Sequence, residues 1–265
     1  FDIAIDMRTN DRGAILCTLS GASQRIGFYA NDGQLIRNRL FTALLRPRCF
    51  SGIHISQYLF QLLSLLDIDG PNQPPCFVIP QAEKEKAAAF LRQEGINLNR
   101  GFICLQPFSL RQYKELTIEK YVQLVKWLRT TYDVQVLITG SPAERERATA
   151  IASCCDSQVW NIAGKTSINF YAAVLNRCRL FIGVDSAGQH IAAAAGIPTV
   201  IIYGPSQAEA WAPRGEQHLV VQKNLPCVPC RQMGCQDSEK SICLDTLTLE
   251  EIMPAIRQQL QLATR

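Results

Sequence analysis

No apolar run in this chain approaches the roughly 20 residues needed to span a bilayer as a helix, so nothing in it reads as a membrane-spanning segment. The start lacks the basic stretch followed by an apolar one that marks a secretory signal. No Lys/Arg run and no aromatic–basic interleaving occurs, and the net charge is only +4. That balance permits an anionic substrate but leaves no electrostatic footprint for nucleic acid. The full Gly-x-x-x-x-Gly-Lys-Ser/Thr pattern is missing, which argues against a P-loop ATPase. There is no internal repeat and no low-complexity tract. The first residue, Phe1, is not a methionine, and Phe1 to Asp6 already reads as a buried strand. The expectation is a chain that begins inside a domain and is truncated at its N-terminus.

What is present is a globular composition. The 265 residues suit one large or two modest domains, and a hydrophobic content of 47% supports a real core. Eleven cysteines are many. Seven of them (Cys17, Cys49, Cys76, Cys104, Cys154, Cys155 and Cys178) are scattered, several within apolar segments. Buried free thiols behave as small hydrophobes, and without a secretion signal the compartment reads as reducing.

Strands and helices alternate along the chain. The first part reads as alternating short strands and helices, Asp2–Asp6, then Arg12–Leu19, then Arg25–Tyr29, followed by a helix over about Ile53–Leu66. Asp67 to Pro80, with its Gly70-Pro71-Asn72-Gln73-Pro74-Pro75 core, reads as a connector. A helix follows over about Gln81–Gln93, and Gly95 to Arg100 is a candidate hinge. The second half is more regular. Strands are expected at Phe102–Gln106, Val134–Thr139, Leu180–Val184 and Thr199–Tyr203. Helices are expected at Thr117–Thr130, Pro142–Ser153, Ser167–Arg177 and Thr248–Leu262, with an Ala-rich helix after Ser186. This alternation predicts a doubly wound α/β domain.

Residues 183 to 205 carry the strongest signal. An apolar strand runs into Asp185-Ser186, then into a helix with His190 on its first turn, then into a second apolar strand ending at Gly204-Pro205. In open α/β sheets ligands bind beyond the carboxyl ends of strands, and helix-start amides there can receive phosphate oxygens. Asp185 can accept from sugar hydroxyls. Ser186 can cap the helix, and His190 can donate to a phosphate or a hydroxyl. For one Asp or one His alone, helix capping or simple packing is the better reading; their joint presence at a strand end reverses that.

Two further strand-to-helix turns have the same character. Pro107 to Lys114 offers Ser109 for a phosphate oxygen and Lys114 as a point charge for a diphosphate; taken alone it would be a polar loop. Thr139 to Glu144 offers Glu144 for ribose hydroxyls, or equally for the helix dipole. Cys227, Cys230, Cys235 and Cys243 form a dense cluster interleaved with Pro226, Pro229 and Gly234. Four thiolates can bind a structural zinc tetrahedrally; free thiols, or a disulfide formed on oxidation, are the alternatives.

With these turns in hand, the chain resembles the ADP-heptose:lipopolysaccharide heptosyltransferases, the ninth glycosyltransferase family. The likeness rests on Gly183-Val184-Asp185-Ser186, His190, Ala192 to Ala194, Gly196-Ile197-Pro198, Tyr203 to Ser206 and Trp211-x-Pro213. Gly164 to Ser167, and Gly140 with Glu144, fit as well. The resemblance implies an α/β fold of GT-B type with two Rossmann-like domains, the N-terminal one incomplete. Residues 1–97 would be the acceptor side and 98–265 the nucleotide-sugar side, including the cysteine-rich loop 226–243 and the terminal helix.

The resemblance also implies an inverting transfer from ADP-heptose to a lipopolysaccharide core acceptor, with no metal at the reaction centre. In that reading Lys114, Asp185 and His190 serve catalysis. Ser109 and Lys114 hold the diphosphate, Glu144 the ribose and Thr166 the base pocket. Asp185 binds the heptose, and Ser186, Ala187 and His190 complete the sugar-phosphate site. Ala187 stands where members commonly have Gly. The family's general base would sit on a segment this chain lacks, and Asp6 is not that residue. The implied partners are an ADP-sugar and an anionic glycolipid, with peripheral contact at the inner face of the inner membrane and a cytoplasmic location. A nucleotide-sugar-binding fragment without catalysis, or a GT-B enzyme using a UDP-sugar, are the alternatives.

Overall fold

A computed structural model describes residues 1–31, 35–46, 52–70 and 73–262. Cys49, and Pro71 and Asn72 of the expected connector, lie outside the described residues. The chain divides into two units, one of Phe1–Gln73 with Glu209–Trp211, the other of Pro74–Ala208 with Ala212–Arg265.

The first unit runs β1 (Ile3–Asp6), α1 (Asp11–Leu19), β2 (Gln24–Phe28), α2 (Leu35–Arg39), β3 (Ala43–Leu45) and α3 (Ile55–Phe60), closed by a 3-10 turn at Gln61–Leu66. Its three strands are parallel in the order β1-β2-β3. Segment 12–19, the second member of the expected alternation, is the helix α1. Asn10 starts it by accepting the Gly13 N–H at 3.1 Å, and Ala14 and Cys17, three apart, bury one face. Strand β1 is not the buried strand expected: at the edge of its sheet, Ile3 and Ile5 are 44% and 40% exposed.

Asp6 is the exception on that strand. Its carboxylate is buried and meets Arg37 NH2 at 2.9 Å, while its other oxygen accepts the Arg8 N–H at 3.0 Å. Arg37 is fully enclosed and also donates to the carbonyls of Phe28, Arg8 and Asn10. A buried ion pair this well supplied with hydrogen bonds is a structural pin, and removing one partner leaves an uncompensated charge.

The second unit runs α4 (Gln81–Gln93), β4 (Phe102–Gln106), α5 (Ile118–Tyr132), β5 (Gln135–Ile138), α6 (Arg145–Ser153), β6 (Val159–Asn161), α7 (Ile168–Leu175), β7 (Leu180–Val184), α8 (Ala187–Ala194), β8 (Thr199–Tyr203), α9 (Ala208–Trp211, shared with the first unit), β9 (His218–Gln222), α10 (Ile242–Asp245) and α11 (Leu249–Leu262). Its six strands are all parallel, in the order β6-β5-β4-β7-β8-β9.

Strand periodicity splits the core into two layers. Ile103 and Leu105 of β4 face one layer with α5 and α11, through Leu124, Leu128, Ile252 and Ile256. Phe102 and Cys104 face the other with α4 and α7, through Ala87, Leu91 and Val174. Each such aliphatic or aromatic side chain contributes about 1.5–3 kcal/mol by leaving water.

That second layer moves the expected boundary between residues 97 and 98. Helix α4 packs on the larger sheet, so the division falls after Gln73. Gly95 to Arg100 is not a hinge between units either. Gln135 of β5 accepts the Asn97 N–H at 2.8 Å and donates to the Asn97 and Gly101 carbonyls.

Candidate functional site

The strand order has one reversal. From β4 the chain winds outward to β5 and β6, then returns to β7 beside β4 and winds the other way. The carboxyl ends of β4 and β7, where Gln106 pairs with Gly183, therefore flank the crevice where open α/β sheets take ligands. The residues that sequence singled out on these two strands meet there.

After β4, Ser109 and Lys114 sit on one compact loop. The Ser109 N–H donates to the buried Glu115 carboxylate at 2.8 Å, and Glu115 in turn pairs with Arg147. This closes the loop on itself and sends Lys114 across to β7. Lys114 Nζ lies 2.6 Å from Asp185 Oδ2, and Ser109 Oγ donates to the Asp185 carbonyl at 3.3 Å.

Asp185 is held from the other side as well. Gln189, fully buried on α8, donates to Oδ1 at 3.2 Å. The Tyr203 hydroxyl at the end of β8 donates to Gln189 Oε1 at 2.9 Å. Burial, with the Asp185 charge adding to it, pushes the Tyr203 phenol up, so it stays a donor.

Ser186 stands at the N-cap position of α8 but makes no side-chain cap bond, contrary to expectation. Its hydroxyl instead accepts from Gln106 Nε2 at 3.2 Å. Gln106 Oε1 accepts from Tyr171 at 2.7 Å, and Tyr171 meets Thr139 Oγ1 at 2.9 Å. A polar relay thus ties the ends of β4, β5 and β7 together. Gln106 and Tyr171 went unread in the sequence, where nothing local connects positions 65 apart; the available signal was that Gln106 and Thr139 are the polar residues closing apolar strands.

Ala187, at the start of α8, is exposed. At Gly188, by contrast, a Cβ would overlap the Gln106 amide, so that side chain would have to shift.

His190 keeps an exposed edge, yet enough chain crowds it that burial lowers its pKa below the usual 6.5, against an opposing pull from Asp185. It is a neutral imidazole near pH 7. Glu144 closes a capping box, accepting the Ser141 N–H on Oε2 at 2.6 Å. Thr166, half-buried, follows Gly164, whose N–H donates to the Gly140 carbonyl at 2.9 Å, so the turns after β5 and β6 are neighbours.

The four cysteines of the 226–243 loop stand as free thiols. Among the described residues no three His, Cys, Asp or Glu side chains converge as a metal-holding set. Cys235 Sγ accepts the Ile242 N–H at 3.4 Å. Cys243 is buried, and burial, then the neighbouring Cys235 and Cys230, push its thiol up to about 11. Of the scattered cysteines, Cys17, Cys104 and Cys178 are buried as expected, whereas Cys76 and Cys154 are exposed.

Residues 1–241 match the sequence profile of glycosyltransferase family 9 (heptosyltransferase). The chain belongs to that family. Lipopolysaccharide core heptosyltransferase OpsX of Haemophilus influenzae is 26% identical over 210 residues, covering 77% of this chain but 57% of that protein. The family 9 chain is thus similar to little more than half of that relative's length. Among solved structures, Escherichia coli ADP-heptose lipopolysaccharide heptosyltransferase II aligns with TM-score 0.79 and 20% identity, over 100% of this chain and 78% of that one. The family 9 glycosyltransferase of Veillonella parvula aligns with TM-score 0.85 and 19% identity, over 98% and 74%. These likenesses are of fold: α/β, of GT-B type. Among the described residues of this family 9 chain, no helix is long and apolar enough to cross a membrane.

Proposed function

We propose that this protein is a glycosyltransferase that moves a heptose from ADP-heptose to a lipopolysaccharide core acceptor, inverting the anomeric centre without a catalytic metal. The observation that carries the reading is the Lys114–Asp185 contact across the β4/β7 crevice. One residue there suits a diphosphate and its partner suits sugar hydroxyls. The relatives, a lipopolysaccharide core heptosyltransferase and an ADP-heptose enzyme, supply the substrate classes.

An ammonium has three donors, and the contact with Asp185 uses one. The others suit oxygens of the donor diphosphate. Ser109 supports them from the same loop, and the first amides of α8 add partial positive charge. Asp185 would turn to the heptose hydroxyls. His190, kept neutral by its surroundings, would donate an N–H to a phosphate or hydroxyl oxygen. The second Glu144 oxygen suits the ribose, and Thr166 the edge of the base pocket.

In the reaction the acceptor hydroxyl oxygen bonds to the anomeric carbon opposite the diphosphate. The bond from that carbon to the diphosphate oxygen breaks, and its electron pair leaves with ADP. Lys114 and the α8 amides stabilise that growing charge. The hydroxyl proton goes to a general base. Asp6 is unsuited to the task, since Arg37 and the Arg8 N–H occupy its carboxylate. The acceptor would be an anionic glycolipid at the inner face of the inner membrane, met peripherally from the cytoplasm, which agrees with a net charge of +4.

A thermal-shift panel of ADP, UDP and GDP tests the donor, with ADP expected to stabilise most. Preference for UDP would move the reading to a UDP-sugar enzyme. ADP release from ADP-heptose with a lipopolysaccharide core acceptor tests transfer; binding without release would make the protein a nucleotide-sugar binder.

A further inference from the structure

The loop between β9 and α10 carries Cys227, Cys230 and Cys235, with the fourth cysteine, Cys243, inside α10, and it has no part in the reading above. Its course follows the carboxyl edge of the larger sheet. The Arg231 N–H donates to the Pro205 carbonyl at 2.8 Å, just beyond β8. Further on, Leu244 packs against Gly204, where a Cβ would come within 2.7 Å of Leu244 Cδ1. Between these anchors lies Ser241, buried and at the N-cap position of α10.

A serine at an N-cap ordinarily accepts a hydrogen bond from an amide of the first turn. Ser241 makes no such bond. Its hydroxyl donates to the Tyr113 carbonyl at 2.6 Å, across 128 residues. Tyr113 lies inside the 3-10 turn Gln112–Lys114, so the bond grips the peptide that leads into Lys114. The mount is stiff: Lys120 Nζ on α5 donates to the carbonyls of Leu244, Asp245 and Leu247 at 2.8, 2.6 and 2.8 Å, fixing α10 against α5. On the far shoulder of Lys114, Glu115 is held by the Ser109 N–H and Arg147. The backbone is therefore clamped immediately before and after Lys114.

Lysine has a long flexible stem and a point charge. Where it stands depends on how well its backbone is fixed, and a misplacement of about 1 Å is enough to weaken a polar site. We propose that Ser241 is a positioning residue for Lys114. Its hydroxyl, carried on α10 at the end of the cysteine-rich loop, holds the Tyr113 carbonyl so that the ammonium is aimed at the donor diphosphate. The inference rests on the donor-site reading of Lys114.

The test is a double-mutant cycle on the full chain, with ADP as the probe and calorimetry well below each variant's melting temperature. The variants are Ser241→Ala, Ser241→Thr, Lys114→Ala and the Ser241→Ala/Lys114→Ala pair. Ser241→Ala should weaken ADP binding about three- to tenfold, the range of one hydrogen bond, and Ser241→Thr should restore it. In the Lys114→Ala background the same change should have no further effect, which a general loss of structure would not reproduce. Wild-type affinity in Ser241→Ala, or an equal loss in both backgrounds, overturns the proposal while leaving the donor-site reading intact. Wild-type affinity in Lys114→Ala overturns that reading, and the positioning role with it.

Discussion

Lys114 Nζ stands 2.6 Å from Asp185 Oδ2, joining the loop after β4 to the loop after β7 where the strand order reverses. Both side chains are mostly shielded, at 23% and 12% exposure, so water screens the pair less than it would on an open surface. Asp185 is also fixed by Gln189. In the proposed reading, a diphosphate arriving here would meet an ammonium already fixed in place and would share it with a carboxylate that turns to the sugar.

Asp185→Asn separates the two halves of the donor. It removes a negative charge beside the phosphates but weakens the grip on sugar hydroxyls. ADP affinity should stay within about threefold of wild type, while ADP-heptose binding falls about tenfold, as when a charged hydrogen-bond partner is lost. Calorimetry with both ligands checks this; equal losses for the two would place Asp185 on the nucleotide instead.

Arg37→Ala should act on stability alone. It leaves Asp6 buried and unpaired, at a cost of about 3–5 kcal/mol, seen as a lowered denaturation midpoint. ADP affinity, measured where the variant remains folded, should be unchanged. A loss of ADP binding would tie this pair to the donor site.

Gly188→Ala tests the packing beneath Ser186. The new methyl group would displace the Gln106 amide and with it the contacts to Ser186 and Tyr171, a loss of about 1–3 kcal/mol typical of overpacking. Adding Gln106→Ala should recover part of that loss by making room. Ala187→Gly, at an exposed position, should change stability by only about 0.5–1 kcal/mol, the helix penalty of glycine. Thermal melts of these variants decide it.

The contrast between Gly188 and Ala187 illustrates what sequence could and could not convey. Strands β4, β7 and β8 and helix α4 begin and end where their apolar runs and flanking breakers predict, because each is fully apolar or strongly periodic. The polar strand ends Ser109, Lys114, Asp185 and Ser186 were legible for the same reason. Helix α1 falls in its place in the strand–helix alternation, capped by Asn10, although Ala14 to Cys17 is too short an apolar run to show a period. Gln106, Tyr171 and Gln189 act through partners chosen by the fold, and no local pattern marks them. The boundary near residue 97 was misplaced because α4 looks the same whichever sheet it covers.

Acid should weaken the fold before the carboxylates titrate. Burial lowers the pKa of both His190 and His218 below the usual 6.5, so the unfolded chain takes up their protons first. The stability they contribute is complete above that value and is lost as pH falls through the folded values. The melting temperature should therefore hold from pH 8 to about 7 and decline as pH falls below the ordinary histidine value of about 6.5. His218→Gln should flatten part of that decline. A midpoint that rises on acidification over this range would contradict the assignment.

The most direct test is the dissociation constant of ADP for wild type and for Lys114→Ala, measured by calorimetry at low ionic strength. The crevice between β4 and β7, as a diphosphate site, predicts binding about ten- to a hundredfold weaker in the variant, the worth of charge-assisted hydrogen bonds, with the protein still folded. Equal affinity in the two proteins would contradict it.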